Sequence, residues 1–240
     1  MNAGGPGGAA YTPRMAGAFS LVIETSTPHA SILLVRPDGT IERRGFRSDR
    51  NHNALLFEPL RELLRDGVGR EIGLVLVGSG PGSYSGTRVG IAAAQGVAIA
   101  AGCPAIALPS ILAVPSAADG ARCLAVGDAR RGVFWTAMTE NHRLPHEPAL
   151  CDAEELTALV AQAAADGQAV FSLEEPARFP LPPELAAKVT MEVPDAARLW
   201  NAWANTDAQS RREWSAEIPQ PLYLKPPHIT PANRPWLAPP

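Results

Sequence analysis

The segment from residue 74 to residue 101 constrains the fold of this 240-residue chain more than any other. An apolar run at residues 74–77 leads into a turn with glycines at positions 78, 80, 82, 86 and 90. A run of small residues at 91–101 follows and has the composition of a helix. This order indicates an α/β protein in which the backbone of the turn comes close to another group.

The glycine turn does not match the glycine motifs that bind phosphate or carry a nucleophile. A P-loop continues from its last glycine into Lys and then Ser or Thr, whereas Gly86 is followed by Thr87 and Arg88. The glycine spacing also fails the dinucleotide fingerprint. Ser83 directly follows Gly82, whereas a nucleophile elbow has one residue between its first glycine and the serine. These glycines are therefore interpreted as serving the geometry of the turn.

Composition limits the remaining classes of function. Hydrophobic residues make up 46% of the chain, and a net charge of -3 provides no overall basic field, so any RNA contact is expected to be local or supplied by a partner. Cys103, Cys123 and Cys151 lack metal-ligand spacing and indicate reduced thiols of a cytoplasmic protein. No apolar run reaches the ~18 residues of a membrane span. Residues 1–18, rich in Gly, Ala and Pro, are predicted to be a flexible extension.

Hydrophobic patterning predicts two groups of elements along the chain. The first comprises strands at residues 19–24, 30–36, 40–47, 72–77 and 105–108, with helices at 53–65, 91–101 and 110–118. The second comprises strands at residues 122–127, 133–139 and 169–173, helices at 154–165 and 195–205, and an extended segment at 219–225. Pro59 is expected to kink its helix or delay its start. A three-stranded meander followed by helix, strand, helix and strand is the layout of the first half of an actin-like ATPase domain.

Three blocks of sequence together resemble the TsaB family, whose members take part in forming threonylcarbamoyladenosine (t6A) in tRNA. The first block ends the opening strand with Glu24, Thr25 and Ser26. The second, which is the specific one, contains the signature residues Gly80, Pro81, Gly82, Ser83, Gly86 and Arg88. The third is Asp128-Ala129-Arg130, followed by an aromatic strand. This chain departs from the family in having Glu24 for the usual Asp, and Lys225 for the usual Arg.

The resemblance implies an α/β, actin-like (RNase H-like) fold with two lobes built on mixed sheets, the C-terminal lobe being reduced. The lobes are predicted at residues 19–110 and 111–225, with a proline-rich tail at 226–240. The implied role is that of a non-catalytic, cytoplasmic subunit that binds and activates a TsaD-type catalytic paralogue. A TsaE-type ATPase joins the assembly, and tRNA is contacted only through the complex. In actin-like ATPases the first hairpin turn, here residues 24–27, cradles phosphate, and the Glu24 exchange places such a role in doubt.

The partner interface that the resemblance implies lies on the first two helices. The predicted interface residues are Leu55, Leu56, Leu60, Leu63, Gly90, Ala93, Ala94, Val97 and Ala101. Small side chains along the second helix allow a neighbouring helix backbone to approach closely. The alternative is that both helices bury these faces on their own sheet. Arg88 is expected either to lock the glycine turn or to meet a partner carboxylate or a phosphate.

No catalytic residue, metal site or tightly bound cofactor is predicted. His142 and His146 are four residues apart, but Pro145 between them argues against a helix that would bring them together. Asp128 and Arg130 are interpreted as a turn tied by hydrogen bonds rather than as an acid and a clamp. The alternative functions are an actin-like kinase of small molecules and a serine protease using Ser83. Binding of ATP or ADP at the seam with the partner, and homodimer formation by the isolated chain, are left open.

Overall fold

The computed structural model describes residues 17–48 and 52–224, with side chains from residue 55 onward in the second range. The expectations for most of the N-terminal extension, for Lys225 and for the proline-rich tail lie outside the described residues.

The first sheet contains five strands around a fully buried centre. They are β1 (Phe19–Glu24), β2 (His29–Val35), β3 (Ile41–Arg47), β4 (Ile72–Gly78) and β5 (Ala105–Leu108). Their spatial order is β3-β2-β1-β4-β5. The strands β1, β2 and β3 are antiparallel, whereas β4 and β5 run parallel to β1. Every residue of β1 and β4 is buried, as expected for strands covered on both faces.

Helices cover both faces of this sheet. On one face lie α1 (His52–Leu63) and α2 (Tyr84–Ala101), packed against alternate residues of β1 such as Leu21 and Ile23. On the other face α5 (Ala196–Asn205) packs against Val22, and α6 (Ala208–Ala216) lies beside β5. The predicted extent of the C-terminal lobe, residues 111–225, is therefore wrong beyond residue 195, because the chain there returns to the first sheet.

The second sheet repeats the connectivity of the first. Its strands are β6 (Cys123–Asp128), β7 (Phe134–Thr139), β8 (Ala149–Cys151), β9 (Ala169–Ser172) and β10 (Val189–Met191). The order is β10-β9-β6-β7-β8, with β6 to β8 antiparallel and β9 and β10 parallel to β6. The helix α3 (Ala153–Ala165) covers one face, and the short α4 (Pro183–Ala186) precedes β10. The turn between β6 and β7 thus corresponds to the turn between β1 and β2.

Three local differences separate the predicted elements from the structure. The helix α2 begins at Tyr84 rather than at residue 91, because the signature residues 84–90 form its first two turns. The predicted helix at 110–118 is replaced by two short 3-10 turns, Ser110–Leu112 and Pro115–Ala117, the second of which has its proline at the first position. The helix α1 includes Pro59 and begins well before it. The prediction of an actin-like fold with two mixed sheets is confirmed.

Candidate functional site

The glycine turn is fastened directly onto the first hairpin turn. Residues 24–27 are buried, with Thr25 fully inaccessible to solvent. The hydroxyl Oγ1 of Thr25 donates a hydrogen bond to the carbonyl oxygen of Gly86 at 2.8 Å. The backbone N–H of Ser83 donates to the carbonyl oxygen of Ser26 at 2.6 Å. The turn that would cradle phosphate in an actin-like ATPase is therefore covered by the protein's own backbone.

Two signature glycines make this close contact sterically possible. A Cβ atom on Gly82 would collide with the carbonyl oxygen of Ser26, and one on Gly90 would collide with Oγ1 of Thr25. Both collisions involve groups that are buried and hydrogen-bonded, so the neighbours have little freedom to move. These two glycines are therefore needed for the close contact between the glycine turn and the first hairpin turn.

Glu24 places an ionisable group at the centre of this contact. Its Oε1 accepts a hydrogen bond from the backbone N–H of Ser26 at 2.7 Å. Its Oε2 lies near the hydroxyl group of Ser110, without a well-formed hydrogen bond in the described part of the chain. Ser110 in turn accepts from the backbone N–H of Gly80 at 3.0 Å. Burial is the largest influence on this carboxyl group and raises the pKa of Glu24 above its ordinary value of 4.5.

Ser83 and Arg88 both serve the start of α2. The hydroxyl Oγ of Ser83 accepts a hydrogen bond from the backbone N–H of Gly86 at 3.2 Å and so caps the helix. The guanidinium of Arg88 donates to the carbonyl oxygen of Tyr84 at 3.0 Å and to the hydroxyl of Tyr223 at 3.1 Å. Its Cζ also lies 3.3 Å from the ring centroid of Tyr84. Arg88 therefore ties α2 to the C-terminal segment.

That segment, residues 219–224, is named here the C-terminal strap. The backbone N–H of Leu222 donates to the carbonyl oxygen of Ser79 in the glycine turn at 2.8 Å. Gln95 of α2 donates from Nε2 to the carbonyl oxygen of Pro219 at 3.2 Å. With the Arg88–Tyr223 contact, the strap is held to the same corner of the first lobe that contains the family signature. Sequence reasoning gave no indication of this contact, because it joins residues far apart in the chain.

Asp128 and Arg130 form the hydrogen-bonded turn that was predicted for them. One carboxylate oxygen of Asp128 accepts from the backbone N–H of Arg130 at 2.7 Å. The other accepts from the Arg130 guanidinium at 3.1 Å. Both contacts lie within the turn between β6 and β7, so this pair stabilises the turn itself.

The predicted interface residues lie mostly on the inner faces of α1 and α2. Six of the nine are buried in the core of the first lobe: Leu56, Leu60, Leu63, Gly90, Ala93 and Ala94. Val97 and Ala101 are partly buried against the same core, and only Leu55 is exposed. The apolar periodicity correctly identified one face of each helix, but that face packs on the helix's own sheet. The buried six are thus unavailable to a partner.

The outer face of α2 has a different composition from its inner face. Counting along the helix by four and then three residues, it contains Ser85, Val89, Ala92, Gly96 and Ile99. Val89 is partly buried against the core, and the other four are exposed. Ile99 is 83% exposed, and a Cβ atom at Gly96 would meet no atom of the described residues within 4 Å. On the neighbouring α1, Leu55 and Phe57 are also exposed. We call the five α2 residues the outer face of α2.

Neither a cluster of metal ligands nor a membrane-spanning helix occurs among the described residues. Within residues 17–48 and 52–224, no three His, Cys, Asp or Glu side chains are grouped so that they could hold a metal ion. In the same part of the chain, no helix is long and apolar enough to cross a membrane.

Two mixed five-stranded sheets of the same connectivity, with the first hairpin turn covered by the glycine turn, define an actin-like α/β protein. Residues 47–187 match the family model "TsaD: tRNA N6-adenosine threonylcarbamoyltransferase". The chain belongs to this family, and the predicted TsaB-type membership is confirmed by its curated relatives.

The relatives are similar over different shares of their length. The TsaB protein of Escherichia coli is 34% identical over 122 residues, which cover 48% of this chain and 52% of that protein. This chain thus spans about half the length of that relative. An uncharacterized protein of Mycobacterium tuberculosis is 29% identical over 177 residues, covering 70% of this chain and 83% of that one. A Pseudomonas aeruginosa crystal structure, described as similar to peptidase YEAZ, superposes with a TM-score of 0.67 at 24% identity, covering 87% of this chain and 100% of that chain. This likeness shows the shared fold.

Proposed function

We propose that this chain is a non-catalytic partner subunit in t6A formation, and that it binds a TsaD-type catalytic protein through the outer face of α2. Family membership and the names of the E. coli and Bacillus subtilis relatives, both tRNA threonylcarbamoyladenosine biosynthesis proteins TsaB, support the pathway. The observation that supports the binding surface is the exposed Gly96 in the middle of α2, beside the exposed Ile99.

Gly96 lowers the stability of α2 without a local structural benefit. Glycine inside a helix lowers stability by about 1 kcal/mol relative to alanine. Nothing in the described part of the chain requires it, because a Cβ atom there would meet no described atom within 4 Å. A helix packing from outside would use the missing side chain, since small residues let two helix backbones approach closely. The neighbouring Ala92 is consistent with the same close approach.

Burial of the exposed apolar side chains on α1 and α2 would favour binding of a partner to this surface. Ile99 projects from the last turns of α2, and Leu55 and Phe57 are exposed on α1. The outward-facing side of α1 is charged, with Arg61 paired to Glu58 and Arg44 of β3 paired to Glu62. The partner is therefore expected to bury α2 and to meet the charged pairs of α1 at the rim. In this role the chain supplies a rigid surface, and the TsaE-type ATPase and the tRNA join through the assembly.

The proposal is tested by a matched pair of substitutions. Ala92→Arg places a long charged side chain on the outer face of α2, whereas Ala158→Arg places one on the exposed side of α3 in the other lobe. Both alanines are exposed and inside helices, so neither variant should unfold. With the TsaD-type protein of the same organism, Ala92→Arg should weaken association at least about tenfold in sedimentation velocity. It should also reduce t6A formation, while Ala158→Arg leaves both unchanged.

Two results would overturn the proposal in different ways. Association that survives Ala92→Arg would show that the partner does not bind this face. Appreciable ATP turnover by the purified chain alone would favour the small-molecule kinase over the partner subunit. Repeating the sedimentation with and without ATP also tests whether nucleotide is held at the seam.

A further inference from the structure

The chain crosses between its two sheets twice, and the two crossing segments are joined by hydrogen bonds. The first crossing, residues 109–122, leads from β5 to β6, and the second crossing, residues 192–195, leads from β10 to α5. The backbone N–H of Asp195 donates to the carbonyl oxygen of Ala113 at 3.0 Å. Because the chain connects the lobes through these segments, any change in the angle between the lobes has to act on them.

Glu192 of the second crossing is bound on both of its carboxyl oxygens by one residue of the first. Its side chain is buried, with 7% of its surface exposed. Its Oε2 accepts a hydrogen bond from the backbone N–H of Ser116 at 3.0 Å, and its Oε1 accepts from the Ser116 hydroxyl at 2.5 Å. Separating the two crossings would leave a buried carboxyl group without these donors, which is costly. Glu192 therefore ties the crossings together.

The first crossing also contributes side chains to the cores of both lobes. Residues 110–114 are all buried. Ala113 packs in the core of the first lobe beside α5, whereas Ile111 and Val114 pack with Trp135 in a core of the second sheet. A rotation of one lobe against the other would have to open closely packed contacts on at least one side of this segment.

The residue types of the two crossings also oppose bending. Hinge motions are absorbed by φ and ψ changes at a few residues, and proline fixes φ. Pro109 and Pro115 lie in the first crossing, and Pro194 lies in the second. The glycine of the first crossing, Gly120, is itself held to the second lobe, because its carbonyl oxygen accepts from the backbone N–H of Asn141 at 2.8 Å.

We propose that the two crossings form a locked hinge with Glu192 as its latch, so that the two lobes keep one relative orientation in solution. Relative motion is the default expectation for two lobes of one chain, and closure around a ligand requires a hinge that bends. Here the residues that would bend are bonded to one another and packed into both cores. The proposed function concerns the outer face of α2, so this inference does not rest on it.

The test measures residual dipolar couplings of the backbone N–H groups in the full chain, because these couplings report how the lobes are oriented. In the wild type, the couplings of both lobes should fit one alignment tensor. Glu192→Ala removes both latch bonds, so the second lobe should then require a separate tensor of smaller magnitude. The matched control is Glu175→Ala, at an exposed glutamate of the second lobe whose side chain caps no helix, and it should keep the shared tensor.

Two further variants separate a latch from a contribution to stability alone. Val160→Ala removes methyl groups from the core of the second lobe, so it should lower the midpoint of urea unfolding and leave the shared tensor intact. Ser116→Ala removes the hydroxyl but keeps the backbone N–H, so it should fold even if Glu192→Ala does not, and it should lose part of the common alignment. Separate tensors in the wild type would overturn the locked hinge. A shared tensor in every folded latch variant would overturn the role of Glu192.

Discussion

The carboxyl group of Glu24 occupies the space that a side chain at Gly78 would need. A Cβ atom on Gly78 would collide with Oε2 of Glu24 and would also crowd the hydroxyl of Ser110. Gly78 ends β4 and Glu24 ends the neighbouring β1, so the two residues meet where the glycine turn begins. The longer carboxylic acid at position 24 is thus accommodated by a residue with no side chain opposite it.

This contact predicts that Gly78→Ala is strongly destabilising. The added methyl group must displace a buried, hydrogen-bonded carboxyl group, and overpacking of this kind costs about 2 kcal/mol. Glu24→Asp withdraws the carboxyl group by one methylene. The double variant should therefore lose less free energy of unfolding than the sum of the two single losses. Urea unfolding of the three variants measures this coupling.

Gly69→Ala is the control for that series. The new Cβ atom there would make only ordinary contacts at 3.6 Å with Leu64, so the free energy of unfolding should change by less than about 0.5 kcal/mol. Strict additivity of Gly78→Ala and Glu24→Asp would contradict the arrangement described for Glu24.

The buried Glu24 also predicts a pH dependence of stability. Its pKa in the folded protein is raised by burial above the ordinary value of 4.5. Between that value and the folded pKa, the folded protein holds a proton that the unfolded chain releases. Stability from this group is therefore complete below pH 4.5 and is lost as the pH rises through the folded pKa.

Glu24→Gln isolates this effect because it removes the titration and keeps the shape of the side chain. The difference in free energy of unfolding, Gln variant minus wild type, should grow as the pH rises from about 4 toward 8. Urea unfolding at several pH values measures it. A difference that stays constant over this range would mean that Glu24 titrates in the folded protein as it does in the unfolded chain.

Exchanging two glycines of α2 for alanine should have opposite effects on stability. Gly96→Ala adds helix propensity at an open position and should raise the free energy of unfolding by about 1 kcal/mol. Gly102 caps the same helix with φ of 66°, and Gly102→Ala should lower it by about 1 kcal/mol. Thermal and urea unfolding of both variants check the signs. A loss of stability in Gly96→Ala would show that the glycine serves the isolated fold, and would weaken the argument for a partner there.

The sequence predicted the central elements well because their signals are local. Continuous apolar runs defined β1 and β4, and these strands are buried on both faces. The strands β8 and β10 were missed because three residues are too few to show a periodicity. The start of α2 was missed because glycines and serines are typical of loops. In the structure, the Ser83 cap starts the helix, and contacts with Thr25 and Ser26 hold the preceding glycine turn in place.

The candidate sites show a different limit of sequence reasoning. Periodicity identifies the apolar side of a helix, and for Leu56 and Ala94 that side is the protein's own core. The outer face of α2 became visible only when burial was known, because an exposed Gly96 and a buried Gly90 look alike in sequence. The left-handed conformation of Arg131 is likewise a property of the backbone, and the residue types at positions 130–132 do not reveal it.

The two sheets carry one connectivity, yet their corresponding hairpin turns have opposite surroundings. The first is enclosed by the glycine turn, so almost any exchange at Thr25 disturbs the interior of the protein. The second stands at the surface, where the Arg131 side chain is exposed and makes no ion pair or hydrogen bond with a described residue. Tolerance of substitution is therefore unequal at equivalent positions of the two sheets: an exchange in the first turn disturbs buried contacts, whereas an exchange at position 131 leaves the described contacts of the fold intact.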